Sequence, residues 1–298
     1  MKLATTTGDF FKYGLNVEES ISELLEAGFK YIDYSFSYDY SNRTGLLGDN
    51  WKEYAKKLLE MSEQRGFKFV QAHSPLGKPF SDSEQFIYDT KRSIEAAAAL
   101  GIPNIVVHSG YLPGLSKAET FAKNKEFYEE LLAVAERCNI NVLTENFDKM
   151  CRADCYWIDN AQDVKELVEY INHPLLKVCW DTGHGNLQQL PQHEALSLLG
   201  SSVAAVHIQD NAGDYDDHIL PFCGTLSIDS VMQGLKEIGF NGYFTFEADN
   251  TPYLSWRKPK KEYDGKCFQL PVDFRKKFEA IMYDMGKYIL TQYDCFEE

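Results

Sequence analysis

Nowhere in the 298 residues is there an uninterrupted apolar run of about 18 residues, the length a helix needs to cross a bilayer. The N-terminus, MKLATTTGDFFKYGLN, has no sustained apolar stretch behind Lys2 to serve as a signal peptide. A cytoplasmic location is therefore expected, and a membrane partner is not. Positive charge is scarce as well: 30 Lys and Arg, only seven of them Arg, stand against 45 Asp and Glu, for a net charge of −15. A surface of that sign repels a phosphate backbone, which makes nucleic acid a poor partner. The seven cysteines are an odd number scattered through a long chain, unlike the dense framework of a small secreted domain, so reduced thiols are expected. Cys151 and Cys155 lie four apart, but no second Cys or His pair follows at zinc-ribbon spacing, and a structural zinc clip is not expected there. Also missing are a Ser-, Pro- or Gly-rich linker and any low-complexity tract that would mark a domain boundary.

What is present is an ordinary globular composition, 44% hydrophobic and 25% charged, enough to bury a large core. Two domains of about 150 residues and one α/β barrel of about 250 fit the length equally well, so pattern must decide. Eight β-branched or aromatic runs recur: KLATTT (from Lys2), KYIDYSF (from Lys30), FKFVQAHS (from Phe67), NIVVHSG (from Asn104), NVLTENF (from Asn141), LKVCWDTGH (from Leu176), VAAVHIQDN (from Val203) and YFTFEADN (from Tyr243). Between them lie stretches of helical period such as VEESISELLEAG, WKEYAKKLLEMSEQRG and ETFAKNKEFYEELLAVAERC, and VDFRKKFEAIMYDMGKYIL closes the chain. Several of these helices end at a glycine just before the next strand (Gly28, Gly66, Gly101, Gly239), where a left-handed residue can turn the chain back into a sheet. Eight βα units predict one (β/α)8 barrel over residues 1–298. Two longer excursions, residues 38–50 and residues 251–270 with the basic RKPKK from Arg257, follow strand C-termini, the face where barrel enzymes keep their sites.

Polar residues repeatedly interrupt these apolar strands at their C-terminal ends: His73, His108, Glu145, Asp181, His207 and Glu247 close strands three to eight. A carboxylate inside an apolar strand is expensive to bury without a cation or donors. Glu145, Asp181, His207 and Glu247 end four successive strands that converge on one mouth, and a shared metal accounts for all four at once. Three carboxylates and one imidazole suit one divalent ion, Mn²⁺ first, then Mg²⁺, Co²⁺ or Zn²⁺, with coordination positions left for substrate. The plainer alternative for Glu145 and Glu247 is a salt bridge at the barrel mouth, yet no strand end supplies an obvious Lys or Arg. Five of the seven histidines (His73, His108, His184, His207, His218) lie at strand ends or just beyond, while His173 and His193 fall in helical connections. His184, three residues after Asp181, is expected to meet substrate, and His73 and His108 either shape the same pocket or are structural. Aromatics near the expected mouth (Tyr111, Phe147, Tyr156, Trp157, Trp180, Tyr253 and Trp256) are mostly packing, with a share available to stack on a bound ring.

The pieces AHSP, VVHSG, LTENF, WDTGH, VHIQDN, DDHILPFCGTLSID and FTFEAD, in this order between about residues 70 and 249, resemble the xylose isomerase-like barrels, which include sugar isomerases and epimerases, inosose-processing enzymes and endonuclease IV. Resemblance to ketose 3-epimerases implies that Glu145, Asp181, His207 and Glu247 hold a metal. It also implies that Glu145 and Glu247 act as acid and base on opposite faces of a sugar, and that His184 holds substrate oxygen. His73, His108, Trp180 and His218 complete the expected substrate contacts. The physical chemistry is consistent: a proton next to a carbonyl is weakly acidic, and a dication on the neighbouring oxygens stabilises the enediolate left when a carboxylate removes it. This sequence has Cys151 where those epimerases place an acidic contact and Gly213 where they place an arginine. The expected activity is isomerase or epimerase on a carbohydrate or polyol, with a lyase or dehydratase on a keto-sugar as the alternative, since both begin with the same proton removal.

Resemblance to endonuclease IV implies a rival ligand set of His73, His108, Glu145, Asp181, His184, His207, Asp216, His218 and Glu247 for three zinc ions. The charge of −15 and the lack of a basic, aromatic insertion able to penetrate DNA weigh against it. A barrel that only binds carbohydrate is the non-enzymatic alternative. The resemblance also admits a homo-oligomer or a partner subunit, with FSYDYSN (from Phe36) as a candidate interface.

Overall fold

The computed structural model describes residues 1–81, 84–148, 157–251 and 270–298. Eight parallel strands close into a barrel in chain order, β1 (Lys2–Thr6), β2 (Tyr31–Ser35), β3 (Lys68–His73), β4 (Asn104–Val106), β5 (Asn141–Glu145), β6 (Leu176–Asp181), β7 (Val203–Ile208) and β8 (Tyr243–Phe246). Closure is made by β1 lying beside β8, with Leu3 level with Phe244 and Thr5 with Phe246. Ten α-helices are seen among the described residues: α1 (Val17–Ala27), α2 (Ser37–Asn42), α3 (Trp51–Arg65), α4 (Glu84–Ala99), α5 (Lys117–Cys138), α6 (Ala161–Ile171), α7 (Thr182–Leu187), α8 (Gln192–Leu199), α9 (Ile228–Glu237) and α10 (Val272–Gln292). None is long and apolar enough to cross a membrane.

Local chemistry sets the boundaries. Asn16 and Ser116 each accept a backbone hydrogen bond from a glutamate three residues on, whose own side chain bonds back, so α1 and α5 start with complete capping boxes. Gly28 ends α1 at φ 111°, and the Tyr283 ring lies 3.2 Å from where a Cβ would stand, so both backbone angle and space require glycine there. The excursion over residues 38–50 is ordered as α2 and a 3-10 turn at Gly45–Leu47. It is pinned by buried Asp39, which accepts from the Tyr34 hydroxyl (2.6 Å) and the Leu46 amide (2.9 Å). Of the excursion over 251–270, only Thr251 and Leu270 are described, so the RKPKK cluster lies outside the described residues, as do Cys151, Cys155, Tyr156, Tyr253 and Trp256. The structure adds α2, α7, α8 and a 3-10 turn at Thr7–Tyr13 to the helices read from the sequence. These pieces are too short to show a helical hydrophobic period.

Strand alternation sorts the core into two bodies. The larger fills the layer between barrel and helices; the smaller, Val106, Leu143, Cys179 and Ala205, contributes one residue from each of β4 to β7 to the barrel interior. Side chains two positions apart share a face. His108, Glu145, Asp181 and His207 each stand two residues beyond one of these four interior residues, so they crown the interior stack at the C-terminal mouth. The exit of β8 is fastened separately: Arg275 of α10, buried against Asp9 (3.1 Å) and Glu279, donates to the carbonyls of Ala248 (3.0 Å) and Thr251 (2.6 Å).

Candidate metal centre

Glu145 and Asp181 are the last residues of β5 and β6, His207 is the penultimate residue of β7, and Glu247 follows β8 directly. One ligand atom from each lies within 4.8 Å of all the others. His207 Nδ1 is 2.6 Å from Glu145 Oε1 and 3.0 Å from Glu247 Oε2. Asp181 Oδ1 accepts from the His184 amide (2.6 Å), capping α7, and from Gln209 Nε2 (3.1 Å). Its other oxygen, Oδ2, is buried and has no partner. A buried carboxylate oxygen left bare is costly. That bare oxygen, three carboxylates and one imidazole fit a divalent cation with mostly oxygen ligands. Among the described residues the ion pairs of Glu145 and Glu247 are all to histidine, not to a Lys or Arg.

The protonation pattern says the same. Burial works against a charged His207, yet the Cys179 thiol and the carboxylates of Glu247 and Glu145 hold its pKa well above the usual imidazole value. Burial pushes Asp181 up to about 7, with His184 opposing the shift. Burial would also raise Glu145 and Glu247, but His207 overrides it and both are lowered. The His207 imidazole, its pKa raised, is the group that lowers both glutamates, and a divalent ion there would supply positive charge in its place.

Two further clusters flank the first. His108 Nε2 lies 2.7 Å from Glu145 Oε2, and His73 Nε2 lies 3.5 Å from the same oxygen. On the other side Asp216 Oδ2 sits between His184 Nε2 (3.3 Å) and His218 Nε2 (3.0 Å). Burial opposes charge on His184 and His218, but Asp181 and Asp216 lift His184 to about 10 and Asp216 lifts His218 well above its ordinary value. His108, by contrast, is pushed down to about 4 by burial. Both groups, His73–His108–Glu145 and His184–Asp216–His218, have ligand atoms close enough to hold an ion of their own.

Residues 21–265 match the family described as the xylose isomerase-like TIM barrel. The chain belongs to that family. It is 28% identical over 206 residues to an uncharacterised protein of Methanocaldococcus jannaschii, covering 65% of this chain and 69% of that protein. A 2-oxo-tetronate isomerase of Haemophilus influenzae is 25% identical over 238 residues, covering 73% of this chain and 82% of the isomerase. In fold it superimposes on D-psicose 3-epimerase of Clostridium cellulolyticum H10, solved with D-tagatose, with a TM-score of 0.73 and 16% identity over 97% of this chain and 99% of that one.

In this xylose isomerase-like barrel the mouth opens into a cavity of about 390 Å³, lined by His73, His108, Glu145, His184, His218 and Glu247 among others. Trp180, expected among the substrate contacts, is not among the residues that line this cavity. Its neighbours Cys179 and Asp181 point inward, so by strand alternation Trp180 points outward, where it is 2% exposed, packs against Gly185 and donates from Nε1 to Gln192 Oε1 of α8 (2.8 Å). Phe147 does line the cavity and lies against the His108 and His184 rings. Three polar residues the sequence analysis does not single out belong to the same mouth. Gln209 bridges Asp181 Oδ1 and Asp216 Oδ1 (2.9 Å). Gln71 of β3 donates to Asp33 Oδ2 of β2 (2.9 Å), and its Nε2 lies 2.7 Å from His207 Nε2. Asp33 itself is 2% exposed and lines the cavity.

Proposed function

We propose that residues 1–298 form one barrel domain and act as a divalent-metal-dependent sugar or polyol isomerase or epimerase, moving a proton next to a carbonyl. The observation that carries this is the convergence of Glu145, Asp181, His207 and Glu247, each from a different strand end, on one point at the floor of a cavity large enough for a small carbohydrate. Relatives bearing isomerase and epimerase names support the reading. Mn²⁺ is the proposed ion, and when bound it would supply positive charge to substrate oxygens as the neighbouring carbon loses its proton. Glu247, one quarter exposed to the cavity, is the carboxylate open to substrate and is assigned the proton abstraction. Glu145, almost fully buried and held by His108 and His207, is the more rigid of the pair and returns a proton from the other side. His73, His108, His184 and His218 are assigned to substrate oxygens around the wall.

The test is exchange of the proton next to the carbonyl in D₂O, followed by NMR over a panel of ketopentoses, ketohexoses, inososes and 2-oxo-aldonates, with Mn²⁺ added. Exchange into at least one, lost in Glu145→Gln and Glu247→Gln, is expected. A fully metal-loaded protein that exchanges none refutes the assignment. One observation favours a second reading: nine side chains at the mouth form three adjoining clusters, two of which share Glu145, the arrangement a polynuclear hydrolase would use to activate water. Metal counting separates the two. About one ion per chain, lost in the Glu145→Ala/His207→Ala double variant, supports the sugar enzyme, and about three tightly held zinc ions support the hydrolase.

A further inference from the structure

Of the acids lining the cavity, Asp33 and Asp216 stand outside the metal quartet, and Asp216 is taken up by His184, His218 and Gln209, which leaves Asp33. It comes from the middle of β2, outside the four ligand strands, and its Oδ2 is used by Gln71 (2.9 Å) and faces His207 Nε2 at 3.4 Å. Its Oδ1 is buried, has no partner and belongs to a side chain on the cavity wall. A bare carboxylate oxygen beside a cavity calls for a hydrogen-bond donor from whatever fills that cavity. The wall around it is of one kind: Thr6, Ser35 and Ser37 line the same cavity. Leu76, Phe147 and Tyr215 also line it, apolar and aromatic surface suited to C–H faces.

Charge narrows the occupant further. Among the described lining residues Lys12 is the only Lys or Arg, against four carboxylates, Asp33, Glu145, Asp216 and Glu247. Its ammonium is engaged by Asp249 (2.6 Å) and Asn250 across the mouth. Among the described residues, a phosphate or carboxylate placed against Asp33 would meet a buried like charge, with Lys12 already engaged as the one lining cation.

We propose that Asp33 is a substrate-binding residue that accepts a hydroxyl hydrogen bond from the bound molecule, and that the site selects neutral polyhydroxylated compounds over their phosphorylated counterparts. The inference rests on the reading above that the cavity holds a carbohydrate or polyol, and it names which chemical class. A hydroxyl on a buried carboxylate is a charge-assisted bond, so its loss weakens binding by about ten- to a hundredfold.

Unreactive alditols keep this test separate from turnover. Ribitol, xylitol, D-glucitol, galactitol and D-glucitol 6-phosphate are titrated by calorimetry into the Mg²⁺-loaded protein, the Asp33→Asn variant and the Asp33→Ser variant, with metal affinity measured for each. The expected result is binding of at least one neutral alditol and weaker binding of D-glucitol 6-phosphate than of D-glucitol by about tenfold or more, a comparison that needs no variant. Alditol affinity is expected to fall about ten- to a hundredfold in either variant while metal affinity stays within about twofold. The proposal is overturned if no alditol binds, if the phosphate binds as well as or better than D-glucitol, or if the variants keep alditol affinity. It is also overturned if they lose metal and alditol together, which would make Asp33 a positioning residue for His207. Alditol binding through Asp33 with no proton exchange in any keto-sugar would defeat the proposed activity and leave this assignment standing.

Discussion

Removing or supplying a divalent ion should change the thermal stability of this protein by an amount that can be worked out in advance. The four candidate ligands come from four strands and are spread over about a hundred residues of sequence, so the unfolded chain offers no equivalent site. An ion at about a hundredfold its dissociation constant then stabilises the folded state by about 2.7 kcal/mol. With an unfolding entropy of roughly 2.1 cal/mol/K per residue, about 0.63 kcal/mol/K for a chain of this length, Tm rises by about 4 °C. The rise should depend on pH in one direction. In the metal-free protein burial holds Asp181 at about 7, above its ordinary 3.8, so its proton favours the folded state fully below about pH 4, and that contribution is lost as pH rises through 7. His207, raised although burial opposes it because Cys179, Glu247 and Glu145 surround it, acts in the same sense. A metal binds the deprotonated ligands, so the gap between loaded and metal-free Tm should widen between about pH 5.5 and about pH 8. Differential scanning fluorimetry with Mn²⁺, Mg²⁺, Co²⁺ and Zn²⁺ against a chelator measures it. No rise with any of the four ions, a gap that narrows with pH, or an equal rise in an Asp181→Ala/His207→Ala variant would mean that these side chains do not hold a metal.

Other outcomes follow from the same geometry. Glu247→Gln should lower turnover on a responsive substrate by about 10²- to 10⁴-fold, the usual worth of a positioned acid or base, with the circular dichroism spectrum unchanged. Trp180→Phe should leave KM within about twofold while costing about 1–3 kcal/mol of stability, because it strips a buried hydrogen bond to Gln192 on the far side of the strand; a raised KM with unchanged stability would return Trp180 to the substrate. In Gly183→Ala the new Cβ would lie 2.1 Å from the Gln209 side chain, which spans Asp181 and Asp216, so metal affinity measured by titration should fall by about tenfold or more with the barrel still folded; unchanged affinity would show that Gln209 does not orient the ligands.

The parity of a strand explains both what sequence reveals at this mouth and what it conceals. Val106 and His108, Leu143 and Glu145, Cys179 and Asp181, and Ala205 and His207 are each two apart, an apolar interior residue followed by a polar one at the rim, and this is a local pattern that needs no partner to be seen. The same rule separates Trp180 from Asp181, adjacent in sequence and on opposite faces of β6, so an aromatic beside a ligand in the chain is no sign of an aromatic beside it in space. Asp33 carries the same signal, a carboxylate inside an apolar strand, but at the centre of YIDYS rather than its end, where a criterion based on strand ends does not select it. Gln71 and Gln209 carry no such signal: a neutral amide is tolerated at many places in a strand, and these two acquire their roles only because β3 faces β2 and because Gln209 lies between Asp181 and Asp216. Ligands that pay a burial cost are therefore visible one at a time, whereas the residues that orient them become visible only as pairs. Asp33, costly to bury and still with an unpaired oxygen, lies between these cases, and it is the residue whose missing partner substrate would have to supply.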